Sequence, residues 1–132
     1  MPLFTKSILS ERASSDGLRI SVMSRHTLSD GVTPDFRITS TSFDLHCQKL
    51  APGLRLIGDY YKRGLSWEGF ESRYLRQIRE VEPARLVRRL AEVALHNDVT
   101  ILCIEETAEK CHRRLLAEEC VRLEPMLCII HR

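Results

Sequence analysis

The sequence predicts a single α/β domain over residues 1–132, with a small, largely parallel sheet flanked by helices. Residues 99–104 (VTILCI) are apolar or β-branched without alternation, which is typical of a strand covered on both faces. A helical pattern follows and ends at Glu124, because the residue before a proline is disfavoured in the α region. Residues 126–130 then form a second apolar strand. Strand, helix and strand with short connections make a βαβ unit, so these two strands should be parallel.

Two further strands are predicted near the amino terminus. Residues 3–9 have strand character, and residues 18–23 alternate in polarity with a period of two. A turn signal at residues 14–17 separates them. The pattern leaves open whether these strands form a hairpin or lie apart in one sheet. Residues 38–47 stay ambiguous, since their alternating apolar side chains have no evident partner.

Three helices are predicted between residues 50 and 98. The first begins at Pro52, because proline suits the first helical position, and it ends near Gly64. Ser66 caps the second helix, and the third opens at Glu82. The expected inward faces are Leu50, Leu54, Ile57 and Tyr61 in the first helix, Trp67, Phe70, Tyr74 and Ile78 in the second, and Leu86, Val87, Leu90, Val93 and Ala94 in the third.

Composition narrows the function classes. Hydrophobic residues make up 43% of the sequence and charged residues 29%, and a net charge of +2 does not indicate an obligate nucleic-acid partner. No apolar run approaches the ~18 residues that span a membrane, and we expect no signal peptide. The five cysteines form no repeating framework, and Cys103, Cys120 and Cys128 lie in apolar patterns that indicate core. Reduced thiols and a cytoplasmic location are therefore predicted.

The start of the last helix collects several polar side chains. Thr107 is predicted to cap this helix, with helical spacing from Ala108 onward. The side expected to face inward contains His112, Leu115, Leu116, Glu119, Cys120 and Leu123, and the opposite side contains Arg113, Arg114, Ala117 and Val121.

Five polar residues are predicted to share one site at the carboxyl edge of the sheet. Arg25 closes an early strand and Glu105 closes the central strand, whereas Cys111, His112 and Arg113 begin the helix that leaves the central strand. If the two strands are parallel neighbours, all five side chains reach the same edge. Ligands of α/β sheets bind there, beside exposed helix amides.

Each of these residue types suits a particular chemistry. Arg25 and Arg113 are predicted to bind an anion, because a guanidinium matches phosphate or carboxylate bidentately. Glu105 and His112 would transfer protons. Cys111 would act as a nucleophile or support one, because a helix N-terminus and neighbouring cations lower a thiol pKa. Purely structural roles stay open, with Cys111 and His112 as packing residues and Arg113 as a solvated helix charge.

Linear spacing argues against several familiar chemistries. Cys103 and Cys111 lack the arginine six positions later that a cysteine phosphatase loop requires, and no glycine-rich nucleotide-binding motif occurs. Cys103 itself is interpreted as a small core hydrophobe. The absence of zinc-knuckle spacing predicts no metal. Cys103, Glu105, Cys111 and His112 could still meet in space, although adjacent cysteine and histidine side chains rarely face one ion. The sequence assigns no cofactor.

The string C-x-E-x5-C-H-R-R-L-L-A, residues 103–117, resembles the signature of the domain of unknown function 488 family. Three other features agree with it: Arg25 at the end of an early strand, the Leu-Ala-Pro turn at residues 50–52, and the spacing W-x2-F-x3-Y at residues 67–74. The resemblance extends from about residue 18 to the end. It implies a compact α/β domain with a conserved polar corner, and the activity of the family is unassigned.

Two hypotheses of function follow. In the first, the chain is a small enzyme that acts on an anionic, phosphate- or nucleotide-like substrate at the carboxyl edge of the sheet. In the second, it is a non-catalytic module that uses the same corner to bind a phosphorylated ligand or nucleic acid. A small anionic partner suits both hypotheses, no membrane partner is expected, and the oligomeric state stays open.

Overall fold

Five parallel strands form one sheet in the computed structural model, which describes residues 1–132. The strand order is β3-β2-β4-β1-β5. The strands are β1 (Pro2–Ser7), β2 (Leu18–Ser21), β3 (Leu45–His46), β4 (Val99–Cys103) and β5 (Cys128–His131). The predicted α/β class and the carboxyl-terminal βαβ unit are confirmed, with β1 lying between the two strands of that unit.

The central strand β4 is buried along its whole length. It pairs with β1 on one side and β2 on the other, so that Ile101 lies between Thr5 and Ile20. Because β4 separates β1 from β2, the two amino-terminal strands lie apart in the sheet and form no hairpin. The ambiguous segment 38–47 supplies the short edge strand β3 beside β2.

The protein has four α-helices in addition to the sheet. Ser66 caps the second one as predicted, its Oγ accepting a hydrogen bond from the Gly69 amide at 3.0 Å. Phe70, Tyr74 and Ile78 then face the core, as their spacing indicated. The helices are α1 (Leu54–Lys62), α2 (Trp67–Ile78), α3 (Val81–His96) and α4 (His112–Leu123).

The first helix begins later than predicted. Gly53 is its N-cap, because the side-chain amide of Gln77 fixes the backbone ahead of the helix. That amide accepts from the Gly53 N–H at 2.8 Å and donates to the Ala51 carbonyl at 2.7 Å. The helix therefore buries Leu56, while the predicted inward residues Leu54 and Tyr61 are 56% and 60% exposed.

The last helix begins at His112 with Cys111 as its N-cap, so the predicted cap at Thr107 is wrong. The guanidinium of Arg113 is the physical cause. It is buried, and it donates to the backbone carbonyls of Glu105 at 2.7 Å and Glu106 at 3.5 Å. These bonds hold the chain between β4 and α4 in an irregular path, and they place Arg113 inside the protein rather than on the predicted outer side.

The cysteines occupy different environments. Cys103 and Cys120 are buried as predicted, but Cys128 is exposed, because β5 is an edge strand with one unpaired side.

No helix combines the length and the apolar character that crossing a membrane would require.

A buried carboxylate joins α4 to the end of α2. Glu119 accepts hydrogen bonds from Arg79 at 2.7 and 3.0 Å and from Arg122 at 2.8 and 3.1 Å. The hydrogen bond from Arg79 is the largest influence lowering the pKa of Glu119, and together with Arg122 it outweighs burial and brings the pKa to about 2.

We expect Glu119→Gln to lower the free energy of unfolding at pH 7. The folded-state pKa lies below the ordinary value of 4.5, so the carboxylate stabilises the fold above pH 4.5 and loses that contribution as the pH falls towards 2. Urea unfolding of both proteins at several pH values measures this difference. The difference in the free energy of unfolding between the two proteins should decrease steadily below pH 4.5. A gap that is constant down to pH 2 would contradict the ion-pair explanation.

Candidate functional site

The imidazole of His112 is held in one orientation at the carboxyl edge of the sheet. Its Nε2 lies 2.8 Å from the carbonyl oxygen of Val22, just beyond β2. Because a carbonyl only accepts hydrogen bonds, Nε2–H is the donor and Nδ1 of the neutral ring carries a free lone pair. The ring of Tyr74 packs edge-on against the imidazole, with the centroids 5.4 Å apart.

The free nitrogen of His112 faces the sulfur of Cys103. Nδ1 and Cys103 Sγ are 3.7 Å apart, and both residues are buried. A thiol, a base and a group that orients the base form the arrangement found in enzymes with activated cysteine nucleophiles. The apolar sequence neighbours of Cys103 indicated a core residue. The structure shows that Cys103 also has a polar partner, the imidazole of His112.

Cys111 lies on the other side of the same sulfur. The ligand atoms of Cys103, Cys111 and His112 all lie within 4.8 Å of one another. The hydrogen bond from the Cys111 thiol lowers the pKa of Cys103, helped by the amides of Glu105 and Ile104, whereas that bond and burial raise the pKa of Cys111. The thiol pKa is thus lowered at Cys103 and raised at Cys111, where a hydrogen bond with His112 acts in the lowering direction without reversing the shift.

Arg113 and Glu105 make hydrogen bonds around these three residues. Besides the loop carbonyls, the Arg113 Nη1 contacts Cys111 Sγ at 3.6 Å, and its Nε is the one buried side-chain polar atom without a hydrogen-bond partner. The carboxylate of Glu105 accepts a hydrogen bond from the Tyr61 hydroxyl at 2.7 Å, which ties α1 to the end of β4. Arg113 is thereby bound to protein groups at both Nη atoms.

A small cavity of about 100 Å³ opens onto the thiol and the imidazole. Cys103 and His112 line it, and Arg25 and Tyr61 contribute charged and polar groups to the same lining. The sequence predicted that Arg25 closes its strand, but β2 ends at Ser21 and Arg25 lies in the loop that follows. Cys103 ends β4, which is the parallel neighbour of β2. The structure therefore brings Arg25 and His112 together as lining residues, while Glu105, Cys111 and Arg113 do not line the cavity.

The loop after β2 is fixed by hydrogen bonds that position Arg25. His46 Nε2 donates to the Met23 carbonyl at 2.6 Å, and the Gln48 side chain donates to the Ser24 carbonyl at 2.7 Å. The Arg25 side chain is exposed and donates to the Gly31 carbonyl at 3.1 Å. Its guanidinium keeps other donors available to a ligand.

Three members of the site were missed by sequence reasoning. The Val22 carbonyl is a backbone group and leaves no signal in the sequence. Tyr61 was assigned to an apolar face. Cys103 has an apolar context, but its C-x-E spacing before C-H-R was the available indication that it belonged to the site.

Together, the fold and the site define an α/β protein with a thiol–imidazole pair at the carboxyl edge of a parallel sheet. Residues 3–122 match a family model described as the active DUF488-N3 subclade, and the chain belongs to the DUF488 family. No curated protein and no solved structure matches the chain.

We expect Arg113→Met to destabilise the protein by about 2–4 kcal/mol, because it removes the buried guanidinium that donates to the loop carbonyls of Glu105 and Glu106. Arg88→Met on the exposed face of α3 is the matched control, with an expected change within about 0.5 kcal/mol. Chemical denaturation measures both. If Arg113→Met is as stable as the wild type, the guanidinium is not needed by the loop and stays available as the anion ligand that the sequence predicted.

Proposed function

We propose that this protein is an enzyme that acts on a small anionic substrate, phosphate- or nucleotide-like, through the thiol of Cys103. The observation that carries the proposal is the Cys103–His112 contact at 3.7 Å, with the imidazole oriented by the Val22 carbonyl, next to a cavity that Arg25 also lines. The description of the matched subclade as active supports a catalytic role over a purely binding one. We also propose a cytoplasmic location, because a reducing compartment keeps free thiols such as Cys103 reduced.

The covalent step follows from the orientation of the two side chains. His112 Nδ1 accepts the proton of the Cys103 thiol as the sulfur forms a bond to the electrophilic centre of the substrate. The bond to the leaving group breaks, and the leaving group takes its proton from His112. Water, deprotonated by the same nitrogen, then displaces the sulfur and restores the thiol. The Cys111 thiol supports the step by donating a hydrogen bond to the Cys103 thiolate.

The shape of the cavity limits what enters it. A volume of about 100 Å³ is well below the roughly 300 Å³ of a pocket that encloses a whole drug-sized ligand. The reacting group of the substrate therefore enters, and the rest of it lies outside. Arg25 is exposed beside this opening, and we assign to it the role of binding the negatively charged group of the substrate.

A pair of alkylating agents tests this proposal, and the test requires no substrate. Iodoacetate carries a negative charge and iodoacetamide does not. Cys103 should react faster than Cys120, which is also buried and whose pKa is raised by burial to about 12. Arg25→Gln should slow iodoacetate at Cys103 by about two- to fivefold, as expected of one exposed charge pair, and leave iodoacetamide unchanged. Mass mapping of peptides gives the rate at each cysteine, including Cys111.

The controls separate chemistry from access. The exposed Cys128 serves as an internal reference in every sample, and Arg88→Gln should leave both rates unchanged. His112→Gln should slow both reagents at Cys103. If Cys103 reacts no faster than Cys120, it is not a nucleophile. The binding-module hypothesis then gains support if phosphate raises the melting temperature of the wild type but not that of Arg25→Gln.

A further inference from the structure

We propose that Cys103, Cys111 and His112 form a binding site for one thiophilic divalent cation, with Zn²⁺ as the best match. The inference rests on the proposed function in one respect: the metal would occupy the thiol to which we assign the reaction and so inhibit the enzyme reversibly. Linear spacing predicted no metal, and the folded chain brings together three ligands that the spacing keeps apart.

The distances suit a tetrahedral site. Zn–S bonds of about 2.3 Å and Zn–N bonds of about 2.0 Å separate ligand atoms by roughly 3.5–3.8 Å. Cys103 Sγ and His112 Nδ1 are 3.7 Å apart, and the three ligand atoms lie within 4.8 Å of one another. Small side-chain rotations therefore complete a Cys2His set.

The groups around these ligands are those that metal sites use. The Nε2–H of His112 donates to the Val22 carbonyl, which leaves Nδ1 as the metal-binding nitrogen and fixes the plane of the ring. The Arg113 Nη1 donates a hydrogen bond to Cys111 Sγ at 3.6 Å, an outer-shell contact of the kind that orients a metal ligand. Two thiolates also neutralise a divalent cation, which removes the cost of burying an isolated charge.

The backbone explains how adjacent residues face one point. Cys111 is the extended N-cap of α4, with φ −137° and ψ 141°, whereas His112 is the first residue of the helix. The change from extended to helical conformation directs two consecutive side chains to the same side. Adjacent residues within a regular helix would diverge by about 100°.

The fourth coordination position faces the cavity. Cys103 and His112 line the cavity and Cys111 does not, so a cation held by all three lies at its inner end. Three protein ligands with one open position are typical of an accessible zinc site and not of a closed structural one. Zinc therefore reaches the thiol from the same opening as the substrate.

Metal titration of the untagged, reduced, chelator-treated protein tests the site. Co²⁺ should bind with a stoichiometry of one and give the absorption of tetrahedral thiolate coordination, and Zn²⁺ should displace it. Cys111→Ser and His112→Gln should abolish this spectrum, while Cys128→Ser should retain it. At a zinc concentration ten times the dissociation constant, alkylation of wild-type Cys103 should slow by about tenfold, because only the free protein reacts. The rate in Cys111→Ser should not change.

A circular dichroism spectrum and a melting curve for each variant show whether it is folded. If Cys111→Ser fails to fold, wild-type protein supplies the test, since zinc must then protect Cys103 and leave Cys128 reactive. Absence of the cobalt spectrum in wild type overturns the metal site, and fast alkylation of Cys103 in the same protein leaves the proposed function standing. A cobalt spectrum with an unreactive Cys103 in metal-free protein confirms the metal site and overturns the proposed function.

Discussion

The loop between β4 and α4 folds back beside the end of β4, because the buried side chain of Arg113 hydrogen-bonds to the backbone of this loop. The Arg113 guanidinium donates to the carbonyls of Glu105 and Glu106, so the chain after Cys103 folds back before the helix begins. This return places Cys111 and His112 beside Cys103. The positions of both thiols and the imidazole therefore depend on the charged side chain of Arg113, which is only 1% exposed.

The parallel order of the sheet supplies the remaining groups. β2 and β4 are neighbours, so the Val22 carbonyl at the end of β2 meets His112, and Arg25 three residues later lines the same cavity. One backbone hydrogen bond then sets the chemistry, because it decides which nitrogen of His112 carries the proton. The nitrogen left free can take a proton from Cys103 or bind a metal, and these two uses exclude each other.

Sequence patterns predicted the parts of the fold that depend on local physics. The apolar run of β4, the proline that ends α4 and the Ser66 cap are each visible within a few residues, and all three are confirmed. The start of α1 and the start of α4 were wrong because distant side chains override the local signal. Gln77 fixes the backbone before α1, and Arg113 fixes the loop before α4. Cys128 was assigned to the core because a sequence does not say which strand lies at an edge.

The protonation state of His112 tests the central claim most directly. A long-range proton–nitrogen NMR spectrum of the ¹⁵N-labelled, metal-free protein distinguishes the two ring nitrogens, with His112→Gln assigning the signals. The Val22 carbonyl requires a proton on Nε2 and a lone pair on Nδ1 in the neutral ring. That result would place a base 3.7 Å from the Cys103 sulfur. A neutral ring with its proton on Nδ1 would contradict both the proposed thiol chemistry and the metal site.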